Sequence, residues 1–209
     1  MEIKHYTKLL IIIFSIYFIG CSARSILTSP NADMKSSLEE ITKHKNKKSR
    51  IAEKLPKKIG NMELFNVVDY SKQFLVGIDM GYGIFYDLKV DKKGSGNIFL
   101  YKRYKNHVKD GLTDDALEEL IVERREIEHS ENVDSKYLIS KFNNLEFYRM
   151  YFITPPDVKN EQYYCYLFIT GYEGVYLKVL FYYPANSEYG AQETEYFMNE
   201  LTAALSKNK

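Results

Sequence analysis

Residues 163–184 read YYCYLFITGYEGVYLKVLFYYP, and this stretch limits the fold more than any other. Two runs rich in Tyr, Phe, Val and Ile flank Gly171-Tyr172-Glu173-Gly174. β-branched and aromatic residues fit a pleated surface, and glycine supplies the positive φ of a tight turn. The stretch therefore predicts a β-hairpin. Val175, Leu177, Val179 and Phe181 share one face of its second strand, and Pro184 ends it by removing a ladder donor. Both faces of the hairpin are apolar, so other elements must cover both sides.

Other segments repeat the period of two. In YGIFYDLKV, Tyr82, Ile84, Tyr86, Leu88 and Val90 fall on one face. NIFLYKRY at 97–104 and LEFYRMYFI at 145–153 also read as strands. Two helices are expected. Thr113-Asp114-Asp115 supplies a cap and acidic residues for a helix start, and Leu117, Leu120, Ile121 and Ile127 form a stripe behind it. A second helix starts near Ser187 and carries Phe197, Leu201, Ala204 and Leu205 at helical spacing. Strands, helix, strands, helix is an α+β order with a mainly antiparallel sheet and helices packed on it.

The N-terminus has a different texture. Leu9 to Gly20 is almost wholly apolar, preceded by Lys4 and Lys8. As a helix it would be about 18 Å long at ~1.5 Å per residue, short of the roughly 30 Å of a bilayer core. A charged start, a short apolar run and small residues after it are the marks of a secretory signal. Phe18-Ile19-Gly20-Cys21 resembles the bacterial lipobox, with Phe18 where Leu is commoner. The resemblance implies a signal peptide over residues 1–20, cleavage before Cys21, and lipidation of Cys21 with diacylglyceryl and a further acyl chain such as palmitate. A signal anchor or an ordinary cleaved signal are the other readings. Two or three acyl chains, at ~0.8 kcal/mol per buried methylene, would hold the protein at the membrane. Ser22 in place of Asp favours the outer membrane in a two-membrane bacterium; otherwise the anchor lies in the cell membrane.

Residues 21–55 carry eight basic residues and four acidic ones, with no aromatic residue. Such a segment buries too little apolar surface to offset its ordering entropy, and reads as a basic tether. A short helix from Ser37, with Glu40 at capping-box spacing, is expected within it. Its KHKNKKSR run is either plainly solvated or touches anionic headgroups. Nucleic acid is an unsuitable partner for an exported chain. From Pro56 to Lys209 the composition fits one globular domain.

LPKKIGNMELFNVVDY, the hairpin and the final helix together resemble uncharacterised bacterial envelope proteins with a PsbP-like α/β/α sandwich. The resemblance spans roughly residues 55–206. It implies a binding or assembly module and carries no catalytic residues.

Motifs of catalysis are few. GYG at 81–83 and GSG at 94–96 read as turns, since neither has phosphate-loop spacing. Cys165 shares a strand face with Leu167 and Ile169, the place of a small buried hydrophobe. As a nucleophile it would need His107 or His129, which flank the first helix and lie too far apart for a shared metal site. DGLTDD at 110–115 lacks the alternating ligands of a calcium loop. In the first helix Glu119 and Glu123 share a face, expected to be the solvated one. The remaining bias is nineteen tyrosines, which serve either strand propensity or a binding surface. The expectation is a membrane-anchored, non-catalytic module with no metal and no cofactor, whose partner is another envelope component. The alternative is an envelope enzyme, hydrolase-like, with a dispersed site.

Overall fold

The computed structural model describes residues 48–70, 81–88, 94–102, 108–128, 137–154, 156 and 160–207. All belong to one compact unit, Ile41–Lys209. Cys21, Ser37, Glu40, Val90, His107 and His129 lie outside the described residues.

Among the described residues eight strands form one antiparallel sheet: β1 (Lys58–Ile59), β2 (Met62–Asp69), β3 (Tyr82–Leu88), β4 (Ser95–Tyr101), β5 (Leu138–Phe142), β6 (Leu145–Ile153), β7 (Tyr163–Tyr172) and β8 (Val175–Pro184). Their order is β1-β2-β3-β4-β8-β7-β6-β5. Two four-stranded meanders, one from each half of the chain, are thus joined through β4 and β8, with Ile98 opposite Val179. The hairpin turn is Glu173-Gly174, with φ of 50° and 77° and Tyr172 paired to Val175. Both central residues are left-handed, which suits the twist of a two-residue hairpin.

Helices cover both faces, as the two-sided apolar hairpin requires. Residues 48–54 (α1) and Gly190–Ser206 (α3) pack on one face, and Asp114–Glu128 (α2) on the other. The α1/α3 face holds the main core. Val175, Leu177, Val179, Phe181, Ile84, Tyr86, Ile98 and Leu100 meet Phe197, Met198, Leu201 and Leu205 there. Phe197 packs against both Tyr86 and Phe181, with ring centroids 5.7 and 5.5 Å apart. Gly96 leaves room for the Phe197 ring, since a Cβ there would meet its Cζ at 2.8 Å. Ile51 and Leu55, placed by the sequence in the segment ahead of the domain, belong to this core. The composition break at Pro56 therefore falls inside the folded unit: charged residues between the two apolar anchors conceal them.

α3 crosses the sheet diagonally. At its start Tyr196 lies over Gly60 in the β1–β2 turn, and Asn61 donates to Glu193 at 2.7 Å. At its end the Asn143 side chain, in the β5–β6 turn, donates to the Asn199 carbonyl and Thr202, and Tyr172 donates to the Leu205 carbonyl. α3 begins at Gly190 rather than Ser187, and its first turn has no side-chain cap. No helix of the described residues is long and apolar enough to cross a membrane.

Candidate binding surface

The α2 face is where the titratable groups converge. Thr113 caps α2, accepting from the Ala116 amide at 3.2 Å. The chain ahead of it is tied to the sheet by Gly111 and Gly171, whose backbones exchange hydrogen bonds of 2.8 and 3.1 Å. Gly171 admits this approach because a Cβ there would strike the Lys109 carbonyl. The helix then turns Ala116, Glu119, Leu120 and Glu123 inward. The expectation that Glu119 and Glu123 face solvent is corrected. Tyr101 donates to Glu119 at 2.7 Å, and the Lys178 ammonium pairs with Glu123 at 2.8 Å. Lys178 also stands 5.1 Å from the Phe99 ring centroid and 5.6 Å from that of Tyr101. A charge on β8 cannot be buried alone, so α2 supplies its counterion. The signal was in the sequence: a lysine inside VYLKVLF demands a partner.

Farther along this face, Ser95 donates to Asn97 at 2.9 Å beside Asp87 and Tyr182. Burial raises the Asp87 carboxyl above its usual range, partly opposed by a hydrogen bond from Ser95. Burial also raises the Tyr182 hydroxyl. Cys165 lies here between strands, opposite Tyr182 and Phe152, and burial pushes its thiol up to about 12. A thiol so shielded stays protonated at neutral pH and is a poor nucleophile. Among the described residues no group of three or more His, Cys, Asp or Glu is arranged to hold a metal.

The opposite face offers a surface of another kind. The diagonal of α3 passes over Tyr183 at Gly190, where a Cβ would run into the Tyr183 ring. Beyond it, aromatic rings step outward across β8, β7 and β6. Tyr183 is 8 % exposed, Tyr164 and Tyr166 are half-buried, and Tyr151 is 36 % exposed. Tyr166 lies 6.2 Å from Tyr183 at 26° and 6.0 Å from Tyr151 at 37°. Tyr164 lies 5.7 Å from Tyr183. The Arg149 guanidinium sits 5.9 Å from the Tyr166 ring centroid. The Tyr183 hydroxyl is raised by burial first, and then by Tyr166. The sequence marks tyrosine as its bias, but only the cross-strand register brings these four together. Arg149 enters through that register alone. Rings with polar tips beside a guanidinium provide large contact area at low entropic cost, the composition of binding surfaces. The chain matches no protein-family model, and no curated protein matches it in sequence.

Proposed function

We propose that this chain is a membrane-anchored bacterial lipoprotein of the cell envelope, held by lipid on Cys21, whose folded domain is a non-catalytic binding or assembly module. The observation that carries the binding role is the graded tyrosine platform of Tyr151, Tyr164, Tyr166 and Tyr183 with Arg149 at its edge. The anchoring role rests on the Gly20-Cys21 junction after a short apolar run. The non-catalytic reading draws support from the state of the titratable groups. Glu119, Glu123 and Lys178 are engaged with Tyr101 and with one another, and the Cys165 thiol is shielded. A PsbP-like α/β/α sandwich is the finer fold we assign, supported by helices on both faces of an antiparallel sheet.

Two measurements test this. A photo-reactive side chain at Tyr151 in intact cells is expected to give a discrete adduct that the same group at exposed Glu195, on α3, does not. Identical adducts at both positions would remove the platform as the docking surface. Cys21→Ser is expected to shift the protein out of the detergent phase on phase partitioning. Unchanged partitioning would remove the lipid anchor.

A further inference from the structure

The two ends of the sheet are finished differently. At one end β2 is partly covered by β1, and its ladder with β3 shifts register between Leu64 and Asn66. That bulge twists the strand at Phe65, and β2 ends on Asp69. Bulges and edge charges are the usual devices that stop one sheet adding to another. At the other end β5 runs as LISKF with continuous register from Leu138 to Phe142, without proline, glycine or bulge. It leads in with exposed apolar side chains: Tyr137 is 50 % exposed, Leu138 45 % and Ile139 62 %.

The register also fixes which backbone groups face outward. Phe142 and Leu145 flank the two-residue turn Asn143-Asn144. The flanking pair of such a hairpin exchanges hydrogen bonds, and the pairs then alternate along the ladder. Phe142, Ser140 and Leu138 thus spend their amides and carbonyls on β6. Lys141 and Ile139 direct theirs away from the sheet. An outward row of donors and acceptors under apolar side chains fits an added strand.

We propose that β5 pairs antiparallel with β5 of a second copy of this chain, about a two-fold axis through Ile139, so that two sheets become one. The choice of a second copy comes from the self-complementarity of the strand. In this register Ile139 meets Ile139 of the second copy, Leu138 meets Ser140, and Tyr137 meets Lys141. The one charge on the strand lies against a tyrosine ring and not against its own kind. Lys141 is also partnered by Glu146 on β6 at 3.9 Å, so no unbalanced charge is carried into the contact. Moving the axis to Ser140 would set Lys141 against Ile139, and moving it to Lys141 would oppose two ammonium groups. An isologous contact of this kind closes on itself and forms no fibre. The proposal goes beyond the binding reading above, since it needs neither the lipid anchor nor the tyrosine platform.

The test uses the full chain carrying Cys21→Ser, with one cysteine added at either edge, Ile139→Cys or Phe65→Cys. Both positions are exposed, and Cys165 is shielded. Treatment with a short thiol-to-thiol crosslinker is expected to give at least ten-fold more covalent dimer from Ile139→Cys than from Phe65→Cys. Ile139→Lys, which sets like charges on the axis, is expected to lower the sedimentation mass in density-matched detergent from dimer to monomer. Equal crosslinking at both edges would overturn the proposal. So would crosslinking of position 139 to position 65 in a mixture, or a wild-type chain that sediments as a monomer throughout the concentration range.

Discussion

The two faces of the sheet are held by different physics. On the α1/α3 face Phe197, Met198, Leu201 and Leu205 interlock with aliphatic and aromatic strand residues, and the attraction is area and shape. On the α2 face the helix contributes Ala116 and Leu120 together with two carboxylates, and its strongest directed contacts are Tyr101–Glu119 and Lys178–Glu123. An apolar interface tolerates imperfect geometry and loses stability in proportion to volume removed. A buried ion pair gains little over an apolar replacement, yet punishes the loss of one partner. The first kind sets how firmly an element is held. The second sets where it sits.

The largest expected effect breaks one side of this comparison. Glu123→Ala leaves the Lys178 ammonium buried without its carboxylate, and should cost about 3–5 kcal/mol by chemical denaturation. Phe197→Ala, on the other face, should cost a similar ~3–5 kcal/mol through its cavity. The double variants separate the two. Glu123→Leu with Lys178→Met should recover most of the loss, to within ~1 kcal/mol of the wild type. Phe197→Ala with Phe181→Ala should recover none. If the ion-pair double variant is as unstable as Glu123→Ala alone, the α2 face owes more to charge than this account allows.

Next in size is Tyr101→Phe, which removes one donor from the buried Glu119 carboxylate. A loss of about 1–3 kcal/mol is expected, with α2 amides exchanging faster than those of α3 in hydrogen-exchange measurements. Equal acceleration in both helices would show that the faces do not respond separately.

Cys165→Ala should cost only about 1 kcal/mol, since it deletes one small buried group. Cys165 should alkylate slowly near neutral pH in the native protein and rapidly once denatured. Fast native labelling would expose this part of the face to solvent and return weight to a thiol enzyme.

The smallest effect is electrostatic. The folded Asp87 binds its proton more tightly than an unfolded carboxyl does, because burial disfavours its charge. Stability is therefore lost as pH rises from the unfolded range, about 3.9, through the higher folded value. Asp87→Asn should raise the melting temperature at pH 7 and leave it unchanged near pH 3. A variant less stable than the wild type at pH 7 would mean that the ionised Asp87 is held by more than Ser95.

Strands with a strong period were legible. β6 occupies the expected 145–153, and β7 and β8 divide at the expected glycine turn, because two-sided burial leaves continuous Tyr, Phe, Val and Ile. α2 and its Thr113 start were equally plain. β2 and β5 were not. They lie at or next to the sheet edges, where consecutive residues are exposed, Phe65 to Val67 in β2 and Leu138 with Ile139 in β5, and the alternation dissolves. α1 was hidden for a related reason, since Ile51 and Leu55 are anchors in a charged surround. The buried faces of Glu119 and Glu123 were misjudged because helical periodicity sends acidic residues outward unless a partner overrides it. Those partners, Tyr101 for Glu119 and Lys178 for Glu123, lie on strands whose position against the helix no local pattern encodes. The tyrosine platform has the same origin. Each ring was visible in sequence, and their adjacency belongs to the register of three strands.

The central seam of the sheet pairs β4 with β8, strands from opposite halves of the chain. Synthesis runs from the N-terminus, so β4 must wait with one edge bare until the last strand has emerged. The sheet cannot close before β8 has been made, and long-range pairing of this sort is slow once it begins. For most proteins that delay is a hazard of aggregation. For a chain exported as proposed above, it would be an interval of readiness, ended by the arrival of Val175–Pro184.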